Sequence, residues 1–298
     1  MPTAASIRGR AGQARKRLRR VSGLATRRAR ILPSFLLVGA QRAGTTSLFY
    51  YLRRHPHVAR PGTKEVHFFD DRFWRGVDWY RSFFATSAEQ RLARLRGGDL
   101  VAAEATPYYL FHPAVPDRVA ATIPSVRLVV LLRDPVDRAY SHYRKMRRMG
   151  LEPLSFEKAL DKEEERLAGE EERLLADPHY RSRHHRRHAY VARGLYADQL
   201  ERWLAHFPRE QLLVLRSEDF FEQPADVYAE TLDFLGLRAW QAPDFEPRNP
   251  TSDRPLDPAL RARLERRFAE PNARLVRLLG REFGWSSRAQ PSRPSSSA

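Results

Sequence analysis

Short apolar runs separated by amphipathic stretches form the main pattern of this 298-residue chain. The most continuous run, Val126–Leu132, is apolar except for one arginine. Such continuity is typical of a parallel strand that is covered on both faces. Further strands are predicted at Phe35–Gly39, Leu100–Ala103 and Gln211–Arg216.

Helical spacing of apolar residues follows most of these strands. The 151–188 segment is predicted to be an insert of exposed helices, because charged residues dominate it. The alternation of strands and helices predicts an α/β fold, a P-loop-like three-layer α/β/α domain with a mostly parallel central sheet. Helices are predicted after the first strand as far as Pro56, and at Val136–Met146, Gly194–Phe207, Pro224–Leu235 and Pro258–Leu279.

The two ends of the chain differ in composition from its centre. Residues 1–32 form a basic tail that we predict to be disordered or partly helical, since positions 1–30 hold ten Lys/Arg and no acid. We predict a folded domain at 33–285 and a disordered Ser/Pro tail at 286–298. The net charge of +17 favours anionic ligands in general. It does not indicate specific nucleic-acid binding, and it leaves a peripheral membrane contact through the basic tail open.

Composition also restricts the location of the protein. The chain has no cysteine, which fits a reducing compartment. Its longest apolar runs are far short of the ~20 residues that a membrane-spanning helix needs. No long apolar segment follows the basic N-terminus in the manner of a signal peptide. We therefore expect a cytoplasmic protein.

The turn after the first strand is the strongest candidate for an anion site. Gly39 and Gly44 have the separation of the Walker A pattern, G-x-x-x-x-G-K-[ST], and Thr46 takes the Ser/Thr place. The lysine place holds Thr45, while a cation appears earlier as Arg42. A glycine-bracketed turn that opens a helix directs backbone N–H groups and a positive helix end to one point. The turn therefore predicts phosphate binding, and the missing lysine argues against NTP hydrolysis.

A second group of polar residues follows the strand Val126–Leu132. Arg133 ends that strand, and Ser141 lies two turns into the next helix. Because the carboxyl ends of parallel strands meet at one edge of a sheet, we expect Arg133 and Ser141 to bind a phosphate near the glycine turn. An adenosine that carries separate 3′- and 5′-phosphates needs such a divided site.

These motifs resemble those of the 3′-phosphoadenylyl-sulfate (PAPS)-dependent sulfotransferases, and most of all the heparan sulfate N- and 3-O-sulfotransferase type. GAQRAGTTSL is similar to the loop that binds the 5′-phosphosulfate, and LLRDPVDRAYSHY is similar to the 3′-phosphate motif. The resemblance extends from about Phe35 to Trp285. The family's order is also followed by KEVHFFD, GVDWY, EATPYY and the block from GLYADQLERWLAHFP to LLVLRSEDF.

The resemblance implies PAPS as co-substrate, adenosine 3′,5′-bisphosphate as product and no metal ion. Glu65 matches the family's catalytic glutamate, and His67 would orient the acceptor group. Arg42 stands where the eukaryotic heparan enzymes have a lysine beside the leaving oxygen; an arginine keeps the charge but donates a proton poorly. The nucleotide-binding residues implied by the resemblance are Arg42, Ala43, Gly44, Thr45, Thr46, Ser47, Arg133, Ser141, Arg254 and, as a residue that stacks on adenine, Phe245.

The acceptor implied by the resemblance is a hydroxyl or amine, expected on a carbohydrate or glycoconjugate. Lys64, Glu65 and Glu104 are the residues expected to meet it, although Glu104 and Ala105 replace a glutamate–lysine pair of the family. Two other functions remain open, a P-loop kinase-like phosphotransferase and a basic polyanion-binding protein. The histidines of 179–188 stand among arginines, which disfavours a metal and favours a solvated basic face or a contact for an anionic acceptor.

Overall fold

A single parallel sheet forms the centre of the protein. The computed structural model describes residues 23–242, 244–246 and 255–285. Within these ranges the sheet has four strands in the order β2-β1-β3-β4, and each neighbouring pair is parallel. The predicted α/β class with a parallel central sheet is therefore confirmed. The strands are β1 at Phe35–Gly39, β2 at Ala103–Ala105, β3 at Arg127–Leu132 and β4 at Leu212–Arg216.

Helices connect the strands, and their order along the chain follows the predicted alternation. The described helices are α1 Thr45–Leu52, α2 Phe68–Asp71, α3 Val77–Arg81, α4 Ser87–Leu95, α5 Val115–Thr122, α6 Pro135–Arg148, α7 Phe156–Asp161, α8 Glu163–Leu167, α9 Glu170–Ala176, α10 Arg183–Arg187, α11 Tyr196–Leu204, α12 Ser217–Glu222, α13 Pro224–Leu235 and α14 Pro258–Leu279. None of these helices is both long and apolar enough to cross a membrane.

Burial of the strands explains their composition. Every residue of β1 is buried, and β3 exposes only Arg127 at its first position. Neighbouring elements thus cover both faces of these strands, as the apolar run Val126–Leu132 predicts. The start of α6 also follows its sequence signals. The Asp134 side chain accepts hydrogen bonds from the N–H groups of Val136 and Asp137, and Pro135 occupies the first helical position.

The bounds of the strand predicted at Leu100–Ala103 are wrong, because the observed strand begins three residues and ends two residues later. Its observed range is Ala103–Ala105, and Val101 makes only an isolated bridge with Val58. Glu104 is consequently the middle residue of β2, where it pairs in register with Leu36 of β1, and its side chain is fully buried. A glutamate interrupts the apolar pattern that marks a strand, so the pattern alone stops before it.

The prediction that 151–188 is an exposed insert is wrong for several of its residues. Phe156, Leu160 and Leu174 are buried. The Glu163 carboxylate is also buried and accepts hydrogen bonds from the backbone N–H groups of Val191 and Ala192. The acidic run is therefore partly internal, because its carboxylates satisfy backbone donors of the chain that follows the insert. His185 and His188 are buried as well, so the basic face is not fully solvated.

Candidate active site

A cavity of about 580 Å³ lies where the strands end. Its walls come from the chain after each of the four strands and from the Lys64–His67 segment that runs beside β2. The predicted residues that line it are Arg42, Gly44, Thr45, Thr46, Lys64, Glu65, His67 and Arg133. The other lining residues include Gln41, Tyr108, Lys145, Arg186, Arg193, Ser217, Glu218, Phe221 and Glu222.

The glycine turn has the conformation expected of an anion-binding loop. Gly44 has φ +93° and directly precedes α1, so it adopts the left-handed backbone that favours glycine. A Cβ atom at this position would come within 3.1 Å of Phe221 Cζ. Thr45 opens the helix, and the Thr46 hydroxyl accepts a hydrogen bond from Lys64 Nζ at 2.9 Å. The positive end of α1 therefore faces the cavity.

The two predicted phosphate motifs touch each other. Arg133 Nη1 donates to the backbone carbonyl of Arg42 at 3.2 Å, and Arg42 Nε donates to Ser141 Oγ at 3.0 Å. Ser141 is buried, whereas Arg133 lines the cavity. The sequence separation of Arg42 and Ser141 is 99 residues, so the fold alone brings them together.

Glu65 and His67 form one side of the cavity, next to Lys64. Glu65 lies 3.1 Å from Lys64 Nζ and 3.4 Å from His67 Nε2. Burial alone would raise the pKa of Glu65, but the hydrogen bond with His67 and the charge of Lys64 lower that pKa to about 2. Burial would likewise lower the pKa of His67, but hydrogen bonds with Asp70 and Glu65 raise it to about 9. At neutral pH the pair is thus a carboxylate beside an imidazolium.

Asp70 is a site residue that sequence reasoning missed. Its side chain is fully buried and lies 2.8 Å from His67 Nδ1. Burial raises the pKa of Asp70, but the hydrogen bond and charge of His67 outweigh it, so the net pKa is lowered. His67 is therefore held between Asp70 and Glu65, one on each ring nitrogen. An acid three residues after the histidine, at the start of a short helix, is the signal that could have revealed it.

Glu104 lies behind the cavity. The prediction that Glu104 meets the acceptor is wrong, because its side chain is fully buried. It falls outside the set of described residues that line the cavity. Its carboxyl oxygens accept hydrogen bonds from Val66 N at 3.0 Å, Tyr80 OH at 2.5 Å, Tyr109 OH at 2.8 Å and Thr106 Oγ1 at 2.6 Å. These hydrogen bonds lower the pKa of Glu104, but burial outweighs them, so the net pKa is raised. Glu104 thus fixes the backbone that carries Glu65 and His67.

Buried cations surround the base of the glycine turn. Arg193 donates to Gln41 Oε1 at 2.6 Å and to the backbone carbonyls of His185 and Arg186, and burial lowers its pKa to about 9. Arg138 Nε and Nη1 are buried and have no hydrogen-bond partner among the described residues. Neither ring nitrogen of the buried His142 has a partner among the described residues, but burial lowers the pKa of His142 well below its usual value, so this histidine adds no positive charge. Excess positive charge of this kind favours an anionic ligand.

Five of the predicted site residues that the structure describes fall outside the cavity lining: Glu104 and Ser141, described above, and Phe245, Ala43 and Ser47. The Phe245 ring packs against Tyr51 at 5.1 Å, and it is outside the set of described residues that line the cavity. Ala43, within the loop, and Ser47, in the first turn of α1, are buried. Arg254 lies outside the described residues, as do most of the basic tail and the Ser/Pro tail.

The charge of His67 predicts a pH-dependent stability. Since its folded pKa is raised above the unfolded value of 6.5, we expect its contribution to be complete below about pH 6.5 and lost as the pH rises through about 9. One pKa unit corresponds to about 1.4 kcal/mol, so the upper limit is about 3 kcal/mol. Urea unfolding of the wild type and of His67→Gln across this range measures the effect. A stability difference that stays constant with pH would show that the imidazolium is not responsible.

Comparisons with known proteins agree with this geometry. The family described as "Sulfotransferase domain" matches residues 32–244. The chain is 33% identical to a sulfotransferase of known structure from Alicyclobacillus acidocaldarius, with a TM-score of 0.66 over 87% of this chain and 100% of the other. It is 28% identical to the membrane-associated sulfotransferase kil1 of Dictyostelium discoideum, over 86% of this chain and 67% of that protein. It is 33% identical to the mouse heparan sulfate glucosamine 3-O-sulfotransferase 3A1, over 70% of this chain and 46% of that protein. The chain therefore spans less than half of this last relative.

Proposed function

Because the chain belongs to the sulfotransferase domain family, we propose that it transfers a sulfuryl group from PAPS to a hydroxyl or amine of a carbohydrate or glycoconjugate. One observation carries the proposal: the glycine turn, Arg133 and Glu65 all line the same cavity. This reaction needs an anion site at the turn, a cation for the second phosphate and a carboxylate that can take a proton, all within one pocket. The mouse relative's name supports a heparan sulfate-like acceptor.

The donor would bind along the carboxyl edge of the sheet. Backbone N–H groups of the turn at Gly44–Thr46 and the positive end of α1 would hold the 5′-phosphosulfate. Arg133 and the neighbouring Ser141 would hold the 3′-phosphate, with Arg42 between the two groups. The sulfuryl group would then point towards Glu65 and Lys64, whose ammonium already reaches Thr46 of the turn.

The reaction would be an in-line displacement at sulfur. The acceptor oxygen or nitrogen attacks the sulfur while the bond between sulfur and the bridging phosphate oxygen breaks, and Glu65 takes the acceptor proton. Adenosine 3′,5′-bisphosphate leaves with the bonding electrons. Arg42 and Lys64 would neutralise the charge that develops on the leaving and sulfuryl oxygens. Fixed positions for these groups supply the remaining catalysis.

Glu65 can act as a base only after its contacts change. A carboxylate with a pKa of about 2 is deprotonated but accepts protons weakly. If Lys64 turns to the sulfuryl oxygens and His67 to the acceptor, the carboxylate loses the two partners that lower its pKa. We therefore propose that donor and acceptor binding together raise the basicity of Glu65.

The basic tail would bring the enzyme to an anionic membrane surface from the cytoplasm. Ten Lys/Arg within residues 1–30 support this proposal, as does the membrane association stated in the name of the kil1 relative. Vesicle sedimentation with and without anionic lipid tests it. Equal sedimentation with neutral and anionic vesicles would contradict it.

Transfer of labelled sulfate is the direct test of the proposed function. The full chain is incubated with PAPS that carries labelled sulfur and with desulfated heparan chains, other glycans, glycolipids and simple phenols. We expect label on a carbohydrate acceptor together with release of adenosine 3′,5′-bisphosphate. Transfer of phosphate from ATP with Mg²⁺, and none from PAPS, would instead support a kinase.

Replacement of Arg133 by Ala is expected to weaken the binding of adenosine 3′,5′-bisphosphate. Hydrogen bonds to charged groups contribute about 1.5–3 kcal/mol, so the Kd should rise about tenfold to a hundredfold. Isothermal titration calorimetry measures this change. The matched control is Arg127→Ala, because Arg127 is exposed at the opposite end of the same strand. Similar affinities of both variants would remove Arg133 from the site.

A further inference from the structure

The strand order fixes the direction in which a nucleotide can lie. The segment with Glu65 runs beside β2, the glycine turn follows β1, Arg133 follows β3, and α12 follows β4. With the order β2-β1-β3-β4, these groups stand in one row along the edge of the sheet. A sulfuryl group directed at Glu65 therefore leaves the other end of the nucleotide, its base, pointing towards α12. This step rests on the function proposed above.

The charges of the cavity support the same direction. Among the cations that line the cavity, Arg42 and Arg133 follow the two central strands. The lining residues from α12 include no cation, and they contribute Ser217 and the carboxylates of Glu218 and Glu222. Carboxylates repel phosphate groups, so the α12 end is unsuited to either phosphate of the ligand. A neutral base can lie there without that cost.

Phe221 offers the surface that a base requires. This residue of α12 lines the cavity and is 49% exposed, which makes it one of the few large apolar side chains on the described surface. It approaches the turn at Gly44, and its ring lies 5.7 Å from that of the buried Phe220. Its position is thus braced on one side, while about half of its surface is free for contact.

The other aromatic candidates are already engaged. Tyr108 also lines the cavity, but it is buried, its hydroxyl bonds His185 Nδ1 at 2.7 Å, and the Arg193 guanidinium lies 4.8 Å from its ring centre. Phe245 packs edge to face against Tyr51 and Tyr228. Among these aromatic residues, Phe221 is therefore the one that is exposed and also lies on α12, at the end of the cavity where the base is expected.

We propose that Phe221 is the platform on which the adenine of the sulfate donor stacks. Stacking on an aromatic ring needs no hydrogen-bonding partner and depends on an accessible π face. The assignment replaces Phe245 with a residue that the sequence resemblance did not single out. It also gives α12 a part in nucleotide binding, since this helix carries the platform from the end of β4 to the glycine turn.

Binding of two ligands to the full chain tests this proposal. Adenosine 3′,5′-bisphosphate and ribose 3,5-bisphosphate, which lacks the base, are titrated into the wild type, Phe221→Ala, Phe221→Trp and Phe245→Ala. Leu95→Ala serves as the control for loss of an exposed apolar side chain, since Leu95 is 85% exposed on α4. Because base–aromatic stacking contributes about 1–3 kcal/mol, Phe221→Ala should weaken nucleotide binding about tenfold to a hundredfold. Binding of the ligand without a base should not change.

The outcomes separate the platform from other roles. Retained nucleotide affinity in Phe221→Trp and Leu95→Ala, with the loss confined to Phe221→Ala, supports the proposal. Unchanged affinity in Phe221→Ala, or loss only in Phe245→Ala, overturns it. Equal weakening of both ligands would mean that Phe221 supports the turn at Gly44, which also overturns it. If the wild type binds no adenosine 3′,5′-bisphosphate, the proposed function fails and this inference fails with it.

Discussion

Replacement of Glu65 by Gln is expected to reduce kcat about 10²- to 10⁴-fold, the usual contribution of a positioned general base. The amide keeps the size of the side chain and one oxygen acceptor, but it cannot take a proton. The affinity for adenosine 3′,5′-bisphosphate should stay nearly unchanged, because the phosphate-binding groups lie at the turn and at Arg133. Initial rates of sulfate transfer and calorimetric titration of the product measure the two quantities separately.

A carboxylate outside the cavity provides the control for this substitution. Glu210 is exposed in the turn before β4, so Glu210→Gln removes the same charge without touching the site. Its kcat should equal that of the wild type. If Glu65→Gln lost activity and nucleotide binding to the same degree, Glu65 would be a structural residue and the proposed base would be wrong.

Local sequence patterns were sufficient to predict the part of the site that surrounds the glycine turn. Gly44 precedes the helix in the left-handed conformation, and Asp134 caps the helix that carries Ser141, as short-range signals predict. Contact between Arg42 and Ser141 then follows from one topological rule, that parallel strands end at the same edge. The turn and the cap depend on a few neighbouring residues each, and the contact adds only the common edge of the parallel strands, which is why a single sequence reveals this part of the site.

Features that depend on distant contacts were missed. Arg193 meets Gln41 across 152 residues, and no local pattern marks either residue as a partner. The sequence of the acidic insert predicts a solvated segment, because nothing in it shows that the Glu163 carboxylate accepts a hydrogen bond from the backbone N–H group of Val191. In each case a charged residue is buried because a remote partner compensates it, and composition cannot show the partner.

Glu104 is the case in which this compensation has the largest expected effect on stability. Glu104→Ala would leave four buried donors without their acceptor, those of Val66, Thr106, Tyr80 and Tyr109. An unsatisfied buried group costs about 1–3 kcal/mol, and partial relaxation of the donors reduces the sum, so we expect a loss of about 3–5 kcal/mol in the free energy of unfolding. Urea titration monitored by tryptophan fluorescence measures this loss.

The isosteric variant distinguishes hydrogen bonding from charge in this cluster. Glu104→Gln keeps one acceptor oxygen, so its loss of stability should be much smaller than that of the alanine variant. Sulfate transfer should fall in both variants by more than nucleotide binding does, because Val66 N, which Glu104 holds, lies between Glu65 and His67 in the chain. If Glu104→Ala unfolded at the same urea concentration as the wild type and kept its activity, the buried carboxyl would neither stabilise the sheet edge nor position the base.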